Sequence, residues 1–318
     1  MNRIRRELNE AKQYLDSFNG ARLILDLAYC TKLKHIMRQE YYAFDFYHKN
    51  RQARSNYVLD YEVMNVIPQR FNDPDESLIL DDKSRFDEVF CDLLGRDFLR
   101  IDSHAQASFN EFLSKHCDFI VKPLDRWGGR GIQKIHHASS AVFDGLVEEY
   151  GSCLIEELFQ QHEEMNRLNP DTVNTIRVIT MRNKKGAVVT PFANIRIGRM
   201  GADVDNFCSG GMTASVDMEQ GVVISEAIDK DLNHFSRHPD TNQPILGFQV
   251  PMWNEIKKCV TNAAERLPGM SYIGWDVVIS KDGAVCLIEG NSNPEARIHQ
   301  MTLKRGLRSE YFAILGTF

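Results

Sequence analysis

Long apolar runs are missing from this chain, and none approaches the roughly 18 residues a membrane-spanning helix needs. The nearest stretch, Ala21-Arg-Leu-Ile-Leu-Asp-Leu-Ala28, is broken by charges. Excess positive charge is missing too. Lys and Arg number 38 against 44 Asp and Glu, a net charge of −6. That balance argues against broad nucleic-acid binding, which needs a positive face. The seven cysteines are odd in number, and none are spaced as Cys-x-x-Cys. With no secretory leader read at the N-terminus, reduced thiols in a cytoplasm are the expectation. No Gly-x-Ser-x-Gly elbow, Gly-x4-Gly-Lys-Ser/Thr loop or Gly-x-Gly-x-x-Gly turn occurs. His136-His137 has no cysteine or carboxylate partners at zinc spacing.

What is present is an ordinary globular composition, 43% hydrophobic and 26% charged over 318 residues. That length holds one large or two average domains with true cores. Residues 1–80 carry apolar positions at three- and four-residue spacing and are expected to be helical. The first helix is expected over 2–18, with Arg3, Arg5 and Arg6 on its polar face. Phe71-Asn-Asp-Pro-Asp75 breaks the pattern. Helices are then expected over 84–94, 141–150 and 254–267, and strands over 119–122, 153–158, 175–181 and 187–199. Strands and helices mix without a steady βαβ rhythm, which points to an α+β architecture.

Near the C-terminus two apolar runs, 273–280 and 284–291, flank Asp282-Gly283, a pair that favours a two-residue type I′ hairpin turn. In that register paired positions sum to 565, and Asp276 stands opposite Glu289. Opposed carboxylates destabilise a sheet unless something positive lies between them. Asn291, two residues past Glu289, shares its face. Two carboxylates and an amide oxygen are hard donors suited to Mg2+. The competing reading is a solvated hairpin with scattered acids. Asp276 in mid-strand among Trp, Val and Ile weighs against it, because Asp is depleted there.

A second constellation is Val121-Lys-Pro-Leu-Asp-Arg-Trp-Gly-Gly-Arg-Gly-Ile132. A strand ends in Lys122, and a loop with Gly128, Gly129 and Gly131 follows. Glycines let backbone N–H groups approach a phosphate, and lysine and arginine supply charge. Taken alone, the segment reads equally as a plain flexible loop. Further on, Thr175 and Arg177 alternate with Ile176 and Val178, and Asn194 and Arg196 with Ile195 and Ile197. Each pair puts an arginine on a polar strand face, suited to a phosphoryl group or a carboxylate. The alternative is an arginine paired with a neighbouring acid.

Lysine first, a glycine loop next, a Glu-rich strand and an Asp…Glu-x-Asn hairpin last resembles the ATP-grasp enzymes. Residues 81–301 resemble the sugar-transfer-associated ATP-grasp family in particular. The likeness is carried by Asn169-Pro-Asp-Thr-Val-Asn-Thr-Ile-Arg-Val-Ile-Thr180, Asp205-Asn-Phe-Cys-Ser-Gly-Gly-Met212, His238-Pro-Asp-Thr241, Tyr272-Ile-Gly-Trp-Asp-Val277 and Ile288-Glu-Gly-Asn291. The resemblance implies an ATP-grasp fold over 81–318, a small lobe near 81–155 and a large lobe near 156–318, preceded by the helical region 1–80. It implies ATP between the lobes, Lys83 and Lys122 on its phosphates, and Glu156, Glu157 and Leu158 as the hinge at the adenine. Asp276, Glu289 and Asn291 match the magnesium ligands. Arg177 and Arg196 are expected around the transferring group, Asn206, Gly210 and Gly211 over the substrate, and Arg297 and His299 in an ordinary loop.

Activity follows from the family by implication: an ADP-forming ligase that joins a carboxylate to an amine through an acyl phosphate. The family's name adds cell-surface polysaccharide assembly, which suggests joining an amino acid or similar acid to an amino sugar or a glycan precursor. Two further readings are a kinase that phosphorylates a hydroxyl and a non-catalytic nucleotide-binding partner of a glycan assembly complex.

Overall fold

Eleven strands in two antiparallel sheets carry the fold in this computed structural model, which describes residues 2–124, 131–201, 205, 207 and 210–317. Nine α-helices between residues 2 and 94 precede the first strand. The first helix is Asn2–Ala11 and stops short of the expected residue 18. Asn19 instead caps the next helix, Gly20–Leu33, by accepting from the Arg22 N–H at 3.0 Å. The break at 71–75 is also a helix start, with Asp73 capping Pro74–Asp81 and proline in the first turn. The helix expected over 84–94 divides at Phe90 into Lys83–Val89 and Cys91–Leu94. Phe90 is fully buried edge-on to Trp275, with centroids 5.5 Å apart, so packing overrides the local pattern there.

The smaller sheet has β1 (Phe98–Ile101), β2 (Phe119–Pro123), β3 (Gln133–Ile135) and β4 (Cys153–Glu157), in the order β1-β4-β2-β3. The larger sheet has β5 (Ile176–Arg182), β6 (Val188–Ile197), β7 (Met212–Val216), β8 (Ala227–Asp229), β9 (His234–Phe235), β10 (Tyr272–Ile279) and β11 (Val285–Asn291). Its order is β11-β10-β5-β6-β7-β8-β9. One face of this sheet buries Ile176, Val178, Ile195, Trp275 and Val277 against the helix Trp253–Glu265, with Phe86 and Phe90 added beside β11. The opposite face is apolar at one end, where Ile179, Met181, Phe192 and Tyr272 meet Tyr311. It is polar at the other, where Arg177, Asn194, Thr213 and Ser215 are all buried.

The acidic hairpin reaches its expected pairing by a different route. Its loop is three residues long, not two: Ser280 N–H donates to the Ala284 carbonyl, and Gly283 adopts φ +85°. A glycine in the left-handed region closes such three-residue loops. Pairs near the loop therefore sum to 564, as with Val277 and Leu287. A bulge at Ile288 then restores 565, and Asp276 faces Glu289. The bulge has a second effect. Leu287 and Glu289 would share a face in a regular strand. Here Leu287 joins the core while Glu289 stands on the polar face.

The helical region is hydrogen-bonded to the C-terminal part of the chain. Gln300, fully buried, accepts from the Val58 N–H at 2.9 Å and donates to the Val58 carbonyl at 2.7 Å. Asn72 accepts from the N–H groups of Ser271 and Tyr272 and donates to the carbonyls of Tyr272 and Ser292. No helix among the described residues is long and apolar enough to cross a membrane.

Candidate functional site

Register brings the arginines to the acid. On the polar face Arg177 of β5 stands opposite Asp276 of β10, and on its other side opposite Asn194 of β6. Arg177 grips Asp276 with two parallel N–H donations, from Nε to Oδ1 and from Nη2 to Oδ2, the latter at 2.7 Å. Arg196 Nη1 adds a third to Oδ2 at 3.0 Å. Such fork-to-fork pairing is strong and directional. Burial opposes ionisation of Asp276, but Arg177 and then Arg196 outweigh it and hold the carboxyl well below the usual range. Thr175 sits beside them and donates its hydroxyl to Asp205 at 2.6 Å.

Glu289 differs from Asp276. It lies 3.8 Å from Arg177, and 48% of its side chain is open to the cleft. Crowding by protein, and then the charge of Asp276, push its carboxyl up. Asn291 turns its amide nitrogen to Glu289 at 3.3 Å. The donor set of Asp276, Glu289 and Asn291 fits a hard divalent cation. Asp276 already gives both oxygens to arginines, so it would join such a cation through the lone pairs they leave. Among the described residues no cluster of three His, Cys, Asp or Glu side chains offers another site.

A cleft of about 1090 Å³ runs from this cluster to the smaller sheet and is lined by Arg196, Asp276, Glu289, Lys122, Glu156, Glu157 and Leu158. Lys122 on β2 donates to Glu156 on β4 at 2.6 Å. Glu156 also accepts from Arg96, whose Nη1 reaches the Leu287 carbonyl at 2.6 Å. Burial works against the Glu156 charge, yet Arg96 and Lys122 draw its carboxyl down to about 2. Its side chain is therefore a buried anchor for Lys122, and its backbone is paired within the sheet between Phe98 and Ile120, so the expected contact with an adenine edge has no free group at this residue. Glu157 is more open, its side chain 41% exposed, and accepts from the Asp97 N–H at 3.3 Å.

Other expected residues lie elsewhere. Lys83 opens the helix Lys83–Val89, which packs on the large sheet beside β11, and it does not line the cleft. Gly128, Gly129 and Asn206 lie outside the described residues. Gly131 adopts φ +75° next to Ile132, which lines the cleft; Gly210, at φ +100°, and Gly211 lead into β7 without lining it. Arg297 and His299, expected in a loop, stand instead on the helix Arg297–Thr302 and are buried. Burial, with Arg177 and Arg196, holds the His299 imidazole down at about 3, so it is neutral. Other motif residues are scaffold. Asn174 accepts from the Gly198 N–H, and Asp240 pairs with Arg199 in two bonds at 2.7 and 2.8 Å. Sequence reasoning missed Arg96, which has no periodic or motif neighbour, and passed over Asp205, whose signal was the polar face that Thr175 shares with Arg177.

No curated protein matches this chain. Solved structures give distant likenesses. The ATP-grasp ligase PsnB complexed with precursor peptide PsnA2 and AMPPNP is 16% identical, over 73% of this chain and 56% of that chain, with a TM-score of 0.43. The D-alanine-D-alanine ligase from Coxiella burnetii is 11% identical, over 75% of this chain and 56% of that one, with a TM-score of 0.47. The ligase of that name from Bacillus anthracis is 13% identical, over 76% and 71%, with a TM-score of 0.44. This chain thus spans little more than half the length of the first two. A family model described as sugar-transfer associated ATP-grasp matches residues 65–314, and the chain belongs to that family.

Proposed function

We propose that this protein is an ADP-forming, Mg2+-dependent carboxylate–amine ligase that works through an acyl phosphate. The observation that supports it most is one cleft with Lys122 and the segment Glu156 to Leu158 at one end, and Arg196, Asp276 and an open Glu289 at the other. In this reading a substrate carboxylate oxygen bonds to the γ-phosphorus as its bond to the β,γ-bridging oxygen breaks, releasing ADP. The amine nitrogen then bonds to the acyl carbon, the carbon–oxygen bond to phosphate breaks, and the amine loses a proton. Lys122 and Arg196 neutralise phosphoryl charge, and Arg177 fixes Asp276 from beneath. Asp276, Glu289 and Asn291 would hold Mg2+, whose chemistry when bound is to shield charge on the phosphate oxygens. The family description supports a sugar-linked substrate, an association rather than a physical argument. The cytoplasm, where ATP is supplied, is the setting that fits.

Hydroxylamine trapping tests this reading. With Mg-ATP, a panel of amino acids and other small acids, and hydroxylamine, a hydroxamate should accumulate in step with ADP. A stable phosphoester, or no ADP from any acid and amine despite tight Mg-ATP binding, would overturn it.

A further inference from the structure

A second crevice lies on the far side of the helix Arg297–Thr302, where the N-terminal helices meet β8 and β9. It has two lobes of about 460 and 210 Å³, and Tyr14, Tyr42, Leu232 and Met301 wall both. The larger lobe falls within the roughly 300–1,000 Å³ of small-molecule sites. Three observations mark it as built for a ligand.

Backbone strain is concentrated there. Among the described residues seven non-glycines have positive φ, and three of them line the larger lobe: Asp45 at +50°, Leu232 at +63° and Lys304 at +55°. Leucine and lysine resist this conformation, and such outliers gather at ligand sites because the surrounding structure must hold them. An unanswered hydroxyl points the same way. Tyr42 is 6% exposed, and its Oη is buried with no hydrogen-bond partner. A buried polar group left unpaired is costly unless a ligand or water completes it. Tyr42 also stacks on Tyr14, with centroids 4.7 Å apart, which makes an aromatic wall. Third, the lining of the larger lobe carries both signs of charge, Asp45 and Asp231 with Lys49 and Lys304, and the two acids are already paired, Asp45 with His48 at 2.6 Å and Asp231 with Lys230 at 2.8 Å.

Two carboxylates in the lining disfavour a phosphate or a nucleotide, which would call for a cluster of cations alone. An acyl chain would desolvate the lining charges and the Tyr42 hydroxyl without adding a partner to any of them. A pyranose ring meets all three conditions. Its C–H face lies on an aromatic plane, and its hydroxyls both donate and accept, as a rim of carboxylates, ammoniums and a phenol requires. We propose that this crevice binds the ring of an uncharged sugar.

Position ties the crevice to the cleft. Met301 faces it, while the next residue, Thr302, bonds Asn194 of β6 at 3.1 Å and Ser215 of β7 at 2.7 Å. Asp205 lines the cleft, and Phe207, two residues on, lines the smaller lobe. For the proposed ligase this makes the acceptor a sugar; that assignment alone rests on the ligase reading.

Saturation-transfer NMR on the full chain without nucleotide is the test, with N-acetylglucosamine, its β-1,4 disaccharide and glucose 6-phosphate as probes. N-acetylglucosamine should bind at least tenfold more tightly than glucose 6-phosphate. Tighter binding of the disaccharide would mark a glycan end as the natural source, and equal binding a free monosaccharide. Tyr42→Phe should raise the dissociation constant about fivefold, as loss of one buried hydrogen bond implies. Tyr14→Ala should abolish the signal, while both variants keep wild-type Mg-ATP affinity as proof of folding. No transfer in the wild-type chain, equal binding in both variants, or preference for the phosphorylated sugar would overturn the proposal. Hydroxamate formation without sugar binding would sink this site and leave the ligase. Sugar binding without ADP release would do the reverse.

Discussion

Arg177 and Arg196 share one carboxylate but are held differently. Arg177 is the more buried, its side chain 10% exposed against 20%, and makes two of the three bonds to Asp276. Arg177→Ala strands a buried charge, and such losses cost about 3–5 kcal/mol. Urea denaturation should read that loss, whereas Arg196→Ala should leave the midpoint nearer wild type. Glu156 gives a pH prediction. Its carboxyl falls from an ordinary 4.5 to about 2 on folding, so its contribution is full above about pH 4.5 and disappears as pH drops toward 2. Denaturation at pH 6 and pH 3 should show a smaller acid loss for Glu156→Gln than for wild type. At this scale the sequence was partly legible. Asp276 stood out because an acid in mid-strand demands a counter-charge. Arg96 did not, because a buried tether between the Glu156 carboxylate and the distant Leu287 carbonyl leaves no spacing to read.

At the scale of elements, alternation read the two faces of β5 and β6 correctly, since a half-polar strand repeats every second residue. Boundaries at Ala11 and Phe90 were hidden, because a cap at Asn19 and contact with Trp275 decide them. The acidic hairpin shows how a right answer can hide two departures: the loop has one residue more than its Asp-Gly pair favours, and the bulge absorbs it. Gly290, between Glu289 and Asn291, tests how tightly this strand is seated. A Cβ there would lie 2.6 Å from Leu80 Cδ2 and 3.2 Å from Phe86 and Trp275. Gly290→Ala should cost about 1–3 kcal/mol by overpacking. If Glu289 and Asn291 hold Mg2+ as proposed, it should also weaken Mg2+-dependent ATP binding, measured by calorimetry, since both flanking side chains shift.

Across the whole molecule, the helical region and the family-matched segment share buried polar bonds. Gln300 is the clearest case: it answers both polar groups of Val58 and accepts from the Leu307 N–H at 3.1 Å. Gln300→Ala leaves those groups unpaired, at about 1–3 kcal/mol for each one that stays dry. Thermal melts should fall accordingly and remain a single transition. This docking was not legible, because contacts between residues more than 200 positions apart leave no periodic trace. Asn72 completes the picture by gripping Tyr272 and Ser292 at once. The joint lies one residue from Asn291, so the same side chain that seats the helical region also pins the strand end from which that amide projects.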